Sequence, residues 1–283
     1  MESQFGIERL APEQFDYICR FIYEETGIVL NDKKVEMVHR RLTKLMKSRG
    51  FNSLSSYFEY FVEHAEREQH ELINALTTNL TRFFREPHHF DFLKDNYLPW
   101  LFSKKNDNKR IRIWSSACST GEEPYSIAMI LRHHFGQYLR EWDVKILATD
   151  IDTQVLHKAK TGIYQKSSID DIPMSMRSTC LQKKDNEVHM AECIKDLITF
   201  KQLNLLHQWP MRGPFDVIFC RNVIIYFDKP TQQHLFTRFH QYLEPKGLLI
   251  LGHSESLGAS ASKFKAVGKT IFGRTSGGDS NAP

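Results

Sequence analysis

The chain has 283 residues, of which 41% are hydrophobic and 25% are charged. This composition is ordinary for a folded globular protein, and the length allows one large domain or two modest ones. The formal net charge of +4 is too small to argue for nucleic-acid binding without a local cluster of basic residues. No apolar run approaches the ~20 residues that a bilayer-spanning helix needs, so we expect no membrane insertion.

The five cysteines are odd in number and form no Cys-x-x-Cys pair. We therefore expect reduced thiols rather than a disulfide framework, and no metal site. The first residues lack the cationic and then apolar pattern of a secretory signal. These features together predict a cytoplasmic protein.

Residues 1–76 are predicted to form an all-helical domain. Apolar residues recur at helical spacing, and no alternation typical of strands is present. The predicted helices lie before Gly27 and over residues 33–49, 53–61 and 68–76. Asn31 or Asp32 is expected to cap the second helix, and Gly50 to end it.

The second predicted helix concentrates positive charge, because residues 33–50 hold seven Lys or Arg and one Glu. Four of these basic residues are candidates for a single docking face: Lys33, Arg40, Lys44 and Lys47. One interpretation is a solvated helix face, which is common. The other is a docking surface for an acidic partner helix or for nucleic acid.

Residues 77–90 form a predicted linker that is polar, then aromatic, then cationic, with a new helix beginning at Pro87. A plain spacer anchored by Phe83 and Phe84 would explain the aromatic part. The density of hydrogen-bonding side chains exceeds the needs of a spacer. We therefore expect this linker to contribute to the active site.

Residues 91–275 alternate strands and helices, as in a doubly wound α/β fold. Strands are predicted over 111–116, 144–149, 215–220 and 247–252, helices over 124–135, 153–160 and 230–243, and a terminal hairpin over 264–272. The alternation is interrupted at about 164–201, where we predict an inserted small antiparallel β subdomain. Its strands are expected over 179–183, 187–191 and 197–201, and the tail 276–283 is expected to be disordered.

The turn after the first predicted strand is the candidate ligand site. It carries one glycine, Gly121, where a dinucleotide-binding turn needs three. Glu122 and Glu123 would repel a diphosphate but suit a ligand with an amino group and a positive sulfur, such as S-adenosylmethionine (SAM). Ser119 or Thr120 is expected to cap the helix that follows.

Asp150 ends the second predicted strand, about 30 residues after that turn. A carboxylate there can accept hydrogen bonds from both ribose hydroxyls of a nucleoside. The alternative is a simple cap for the next helix, with Asp152 close by.

Five separated segments resemble the CheR-type chemoreceptor glutamate methyltransferases. They are residues 79–86, 114–126, 148–152, 215–228 and 252–256, in order and with compatible spacing. The resemblance covers essentially the whole chain. It implies a SAM-dependent methyltransferase domain of Rossmann-like fold, an N-terminal all-α domain and an inserted β subdomain.

The resemblance also implies roles for individual residues. The cofactor would be surrounded by Asn79, Thr81, Arg85, Glu123, Asp150, Asn204, Leu205, Arg221 and Asn222. Arg85 and Tyr226 would face the reacting methyl group as catalytic residues. Taken singly, each has a structural alternative: Arg85 could pair with Glu86, Tyr226 could be a core residue, and Asn204 could close a turn.

The implied reaction is methyl transfer from SAM to receptor glutamates, giving glutamyl methyl esters and S-adenosylhomocysteine (SAH). The implied partners are the acidic cytoplasmic methylation helices of chemoreceptors, with recruitment to membrane receptor arrays. We do not expect binding of a C-terminal receptor tether, because the hairpin connection Lys183–Glu187 is short and lacks glycine. We expect a monomer that does not bind nucleic acid. The alternatives are a methyltransferase acting on RNA or a small molecule, and a non-catalytic SAM-sensing signalling module.

Overall fold

The computed structural model describes residues 9–105 and 108–275. The chain divides into a helical unit, Met1–Thr78 with Tyr226–Asp228, and an α/β unit, Asn79–Ile225 with Lys229–Pro283. The tail that the sequence predicts to be disordered, 276–283, lies outside the described residues. No helix in the described parts of the chain combines the length and the hydrophobicity that a bilayer crossing requires.

The helical unit contains the four predicted helices. They are α1 (Pro12–Thr26), α2 (Val35–Ser48), α3 (Leu54–Glu63) and α4 (Ala65–Leu76). The predicted stop of α1 is confirmed, because Gly27 adopts φ 72°, a left-handed conformation that suits glycine. The predicted start of α2 is wrong. A short 3₁₀ turn, Asp32–Lys34, precedes α2, and the Asn31 side chain makes no capping hydrogen bond.

Helix α2 is amphipathic and packs one face into the core of the helical unit. Val38, Leu42, Leu45 and Met46 recur at intervals of three and four residues and are all buried. Arg41 on the same helix links α2 to the end of α4. Its Nη1 donates to the carbonyl oxygens of Leu76 and Thr77 at 2.7 and 2.6 Å, which satisfies carbonyls at the end of α4.

A segment distant in sequence completes the helical unit. Phe227 forms an antiparallel bridge with Ile28, and the Val29 N–H donates to the Tyr226 carbonyl at 2.9 Å. The Tyr23 hydroxyl donates to Asp228 Oδ2 at 2.7 Å. By their contacts, Tyr226–Asp228 belong to the compact helical unit, although they lie within the sequence range 91–275.

The described residues of the α/β unit contain ten strands. They are β1 (Arg110–Ser115), β2 (Asp143–Asp150), β3 (Ile163–Gln165), β4 (Leu181–Lys184), β5 (Glu187–Met190), β6 (Ile198–Gln202), β7 (Phe215–Cys220), β8 (Leu243–Leu251), β9 (Phe264–Gly268) and β10 (Ile271–Arg274). The helices are α5 (Pro87–Phe92), α6 (Leu98–Lys104), α7 (Glu122–Phe135), α8 (Thr153–Thr161), α9 (Met174–Cys180), α10 (Glu192–Lys195) and α11 (Lys229–Tyr242). A π-helical turn, Leu93–Tyr97, connects α5 to α6.

Seven strands form one mixed sheet in the order β6-β2-β1-β7-β8-β10-β9. The first five are parallel to their neighbours, and β10 pairs antiparallel with both β8 and β9. Every residue of β7 is buried, as a central strand covered on both faces requires. From β1 the chain winds outward to β2 and β6 and later returns to β7 on the other side. The strand order therefore reverses between β1 and β7.

The predicted small antiparallel sheet is present, in the order β3-β5-β4. Its predicted third strand is wrong. Residues 198–202 pair in parallel with β2 at the edge of the large sheet, and β3 supplies the third strand instead. Residues 179 and 180, expected in a strand, belong to α9. An alternating pattern identifies a strand but not its sheet, because the partner of β6 lies about 50 residues earlier.

Candidate active site

Six of the predicted cofactor residues lie at or just after the carboxyl ends of four neighbouring parallel strands. Glu123 follows β1, Asp150 ends β2, Asn204 and Leu205 follow β6, and Arg221 and Asn222 follow β7. Parallel strands end at the same edge of a sheet, and the reversal of strand order at β1 and β7 opens a crevice there. Ligands of open α/β sheets bind at such a position.

The turn between β1 and α7 is held against the end of β2. The Ser119 N–H donates to Asp150 Oδ2 at 2.7 Å, and the Tyr164 hydroxyl donates to the Thr120 carbonyl at 2.6 Å. The prediction that Ser119 or Thr120 caps α7 is wrong. The helix begins after Gly121, whose φ is 98°, and no side chain caps it. A Cβ at Gly121 would lie 2.9 Å from both Ala159 Cβ and the Tyr164 hydroxyl, so this turn needs glycine.

Asp150 is buried and oriented by backbone N–H groups. Its Oδ2 accepts from Ser119 and its Oδ1 accepts from the Asp152 N–H at 3.0 Å. Burial raises the pKa of Asp150 from 3.8 to about 6, although these N–H groups oppose the rise. The alternative of a helix cap belongs to Asp152, whose Oδ1 accepts from the N–H groups of Gln154 and Val155 at the start of α8.

The linker residue Asn79 joins this edge of the sheet. Its carbonyl accepts from Ser119 Oγ at 2.8 Å, and its Nδ2 donates to Asp152 Oδ2 at 2.7 Å. Phe83 and Phe84 are buried, so the aromatic part of the linker is an anchor in the core. Thr81 lies between Asn79 and this anchor and is partly exposed.

The Arg85 side chain folds back onto the linker. Its Nη1 donates to the Leu80 carbonyl at 2.8 Å, while the Leu80 side chain is 80% exposed. Glu86 is the predicted alternative partner of Arg85, but it contacts two other residues instead. Its Oε1 lies 2.9 Å from His253 Nδ1, and its Oε2 lies 3.5 Å from Arg221 Nη2. The guanidinium of Arg85 is therefore held by a backbone oxygen beside an exposed apolar side chain.

Arg221 is a buried guanidinium that connects the end of β7 to α7 and the linker. It donates to Glu123 Oε2 at 2.8 Å and to the Arg85 carbonyl. Ser115 Oγ donates to the other Glu123 oxygen at 2.7 Å. Both Glu123 oxygens are thus engaged within the protein, and the buried charges compensate each other.

Glu86, His88 and His89 offer one oxygen and two nitrogen atoms within 4.8 Å of one another, as a metal site would need. Arg221 lies 3.5 Å from Glu86 Oε2, and its positive charge would oppose a metal cation. Burial of Glu86 disfavours its charge, but the hydrogen bond with His253 and the charge of Arg221 lower its pKa to about 2. Glu86 is therefore an ionised partner of Arg221, and we assign no metal to this group.

Asn204 and Leu205 form a turn after β6. Asn204 Oδ1 accepts from the Leu206 N–H at 2.9 Å, so the alternative role of closing a turn is met. The Leu205 carbonyl accepts from Trp209 Nε1 at 3.1 Å and from Arg238 Nη1 at 2.8 Å. Both contacts fix the backbone of this turn.

The remaining predicted site residues lie in the helical unit. Lys34 Nζ lies 5.4 Å from the centre of the Tyr226 ring, within the range of a cation–π contact. Lys33, Arg40, Lys44 and Lys47 are all exposed. Across the part of the chain that the structure describes, these four cations make no ion pair. We call these four residues the basic face.

The sequence patterns do not predict the roles of two carboxylates near this site, Glu86 and Glu255. Glu86 pairs with Arg221, and Glu255 accepts from backbone N–H groups of residues 222–224. Both bonds join residues far apart in sequence, and a pattern of residue types does not reveal such bonds. The signal in the sequence is that each residue lies within one of the five segments that resemble the family.

Comparisons with known proteins identify this arrangement. Residues 79–272 match the family model described as "CheR methyltransferase, SAM binding domain", and residues 13–77 match "CheR methyltransferase, all-alpha domain". The fold and these two family matches define a SAM-dependent methyltransferase. The chain belongs to the CheR methyltransferase family.

Similar proteins include the "Probable chemotaxis protein methyltransferase" of Rhizobium etli, 40% identical over 91% of this chain and 98% of the relative. The "Chemotaxis protein methyltransferase" of Borreliella burgdorferi is 39% identical over 90% of this chain and 93% of that protein. The Escherichia coli protein of the same name is 40% identical, with 94% and 92% covered. The similarity extends over nearly the full length of each relative.

Proposed function

We propose that this protein methylates glutamate side chains of chemoreceptors, using SAM and releasing SAH, in chemotactic adaptation. The observation that carries the proposal is the match of the chain to both CheR domains, together with relatives named as chemotaxis methyltransferases. The acidic and amide side chains at the sheet edge support it, because they suit a nucleoside with an amino acid attached.

We propose that the cofactor lies over the carboxyl ends of β6, β2, β1 and β7. Asp150 would accept from the ribose hydroxyls. The cofactor would also be surrounded by Asn79, Thr81, Arg85, Glu123, Asn204, Leu205, Arg221 and Asn222. Glu123 would contribute through its pair with Arg221, since both of its oxygens are already engaged.

The bound cofactor would supply a methyl group on a positively charged sulfur. The carboxylate oxygen would form the new bond to the methyl carbon, and the sulfur would keep the electron pair of the broken carbon–sulfur bond. The glutamate acceptor has a pKa of about 4.3 and is ionised near neutral pH, so no protein group needs to remove a proton. The task of the protein is to hold the carboxylate oxygen in line with the methyl carbon and sulfur.

Arg85 is proposed to orient the incoming carboxylate through charge-assisted hydrogen bonds, and the Tyr226 hydroxyl to help fix it. The carboxylate loses its charge when the ester forms. A site that held the charged form too tightly would stabilise the substrate more than the transition state. Arg85 Nη1 donates to the Leu80 carbonyl at 2.8 Å, so a bound carboxylate would share the guanidinium with the protein, which supports a moderate role.

The basic face of α2 is proposed to dock the acidic methylation helices of the receptor. Its four cations are exposed. Arg40, Lys44 and Lys47 lie on α2 and Lys33 lies in the 3₁₀ turn before it, an arrangement that suits a long, negatively charged helix. Docking there would recruit the enzyme to receptor arrays at the membrane. We propose no tether binding, because the β4–β5 connection is the short turn at Asp185 and Asn186.

The alternative of a non-catalytic SAM-sensing module gains no support from the comparisons, since the relatives are named methyltransferases. Incubation of the protein with methyl-labelled SAM and a chemoreceptor cytoplasmic fragment tests the proposal. We expect label on the receptor that is released as methanol by mild base, as a glutamyl methyl ester requires. Base-stable label, or SAH binding without any transfer, would contradict the proposal.

A further inference from the structure

Glu255 is a buried carboxylate, and within the described residues its side chain accepts hydrogen bonds from four backbone N–H groups. Oε1 accepts from the N–H groups of Val223 and Ile224 at 2.9 and 2.8 Å. Oε2 accepts from the N–H groups of Asn222 and Gly252 at 2.9 and 2.6 Å. One side chain from the loop after β8 thus binds three consecutive N–H groups of the loop after β7.

The loop that Glu255 holds contains a residue in the left-handed region, Asn222, with φ 58°. Asparagine adopts this conformation more readily than most residues with a Cβ. The bonds from Glu255 come from outside this loop and fix its backbone at Asn222, Val223 and Ile224.

Gly252 contributes to the same arrangement by its lack of a side chain. A Cβ there would lie 2.6 Å from Asn222 Nδ2 and 2.9 Å from Glu255 Oε2. Gly252 is absent from the positive-φ glycines of the described chain, so the position requires small size rather than an unusual backbone. The Asn222 amide occupies the space that a larger residue would take.

We propose that Glu255 is a positioning residue for cofactor binding: it fixes the Asn222 turn and, through it, the direction of the Asn222 and Arg221 side chains. The inference rests on the proposed cofactor contacts of those two residues. It assigns Glu255 no contact with substrate or cofactor. The same logic makes Gly252 a second determinant of the Asn222 position.

Only a carboxylate can accept from all four backbone N–H groups, because each of its two oxygens accepts from two of them. Glutamine has the same shape but offers one oxygen and one NH₂ group. Whichever way it is oriented, the NH₂ group would face two backbone N–H donors. Glu255→Gln should therefore release one side of the turn, while Glu255→Asp keeps the charge but shortens its reach.

The test compares SAH affinity by calorimetry and amide hydrogen exchange at residues 222–224 in the full-length protein. We expect Glu255→Gln to raise the Kd for SAH at least tenfold and to accelerate exchange at these amides. Gly252→Ala should raise the Kd similarly, and it decides the question if Glu255→Gln does not fold. An unchanged Kd in a folded variant, even with a lower Tm, would overturn the proposal.

Matched controls separate positioning from general stability. Asp216 is also a buried carboxylate, bound to the Arg112 N–H at 2.8 Å and to Lys105, at the other end of β7. Asp216→Asn should lower the Tm and leave the Kd for SAH unchanged. Gly273→Ala is the control for Gly252→Ala, since its Cβ would approach nothing closer than 3.6 Å. Failure of the wild type to bind SAH would instead contradict the proposed function.

Discussion

Single residues at the edge of the large sheet are arranged so that each buried charge has a specific partner. Arg221 lies between Glu123 and Glu86, while Asp150 and Glu255 accept from backbone N–H groups. Removing one member would leave its partner buried and uncompensated, which is more harmful than losing the pair. Substitutions at this edge are therefore best made with isosteric residues.

Arg85 should affect turnover without affecting the fold. It is only partly buried and its side chain bonds a carbonyl of its own linker. If it orients the substrate carboxylate, Arg85→Ala should lower kcat/KM for receptor methylation by about 10²–10³-fold. The Tm should change little. Kinetics with a receptor fragment and a thermal melt provide the measurement.

Arg82 is the matched control for that experiment. It is a nearby exposed arginine paired with Asp171 at 3.2 Å, and surface pairs contribute little to stability. Arg82→Ala should retain near-normal kcat/KM. Equal activities of the Arg85→Ala and wild-type enzymes would remove Arg85 from the mechanism.

Asp150 should make cofactor affinity depend on pH. Burial raises the pKa of this carboxyl to about 6. The ionised carboxylate has both oxygens available to accept from the ribose hydroxyls, whereas in the protonated form one oxygen carries a proton. Affinity for SAH should therefore increase as the pH rises through about 6. Calorimetry between about pH 5 and pH 7.5 should detect roughly a tenfold change.

The folding stability of the cofactor-free protein should depend on pH in the opposite direction, again because of Asp150. The folded chain binds this proton more tightly than the unfolded chain does, since the pKa is raised from 3.8 to about 6. The contribution of Asp150 to stability therefore falls as the pH rises through that interval. Asp150→Asn should abolish the pH dependence of binding; a wild-type Kd that is flat with pH would contradict the assignment.

At the scale of elements, local signals were predictable and long-range partners were not. The stop of α1 at Gly27, the strand β7 and the switch from β1 to α7 follow from glycine, apolar runs and the change of period. The start of α7 depends instead on Ala159 and Tyr164, which leave room only for glycine at position 121. The placement of β6 and the bonds of Glu255 likewise depend on residues far away in sequence.

Gly121 provides a test of this element. Its φ of 98° and the predicted 2.9 Å contacts of a Cβ should make Gly121→Ala destabilising by about 2–4 kcal/mol, with loss of SAH binding. Gly258 also has positive φ, 53°, but a Cβ there would meet nothing within 4 Å. Gly258→Ala should therefore cost only about 1 kcal/mol. Urea unfolding measures both, and equal losses would show that the contacts at Gly121 are unimportant.

At the scale of the whole molecule, the modest net charge of +4 conceals a concentrated basic face on the helical unit. Lys44→Glu combined with Lys47→Glu should weaken receptor methylation at least tenfold at low salt, while the Kd for SAH stays unchanged. Added salt should weaken wild-type methylation as well, because exposed charges are screened within about 8 Å at physiological ionic strength. Methylation rates against salt concentration provide the measurement.

The matched control carries the same change of charge elsewhere on the same unit. Arg20 and Arg67 are exposed on α1 and α4, and neither belongs to the basic face. Arg20→Glu combined with Arg67→Glu should leave methylation nearly unchanged. A similar loss in both double variants would indicate a general electrostatic effect rather than docking by α2.

The return of the chain to the helical unit at Tyr226–Asp228 limits how this enzyme can be recombined with its relatives. A hybrid made by a single exchange at residue 78 would bring a foreign helical bundle to a native triplet 226–228. Ile28, Val29 and Tyr23 all bond or bridge to that triplet, so the exchanged bundle would meet residues selected for another partner. Exchange of the helical bundle between such enzymes should therefore require two insertions, the bundle and the triplet together.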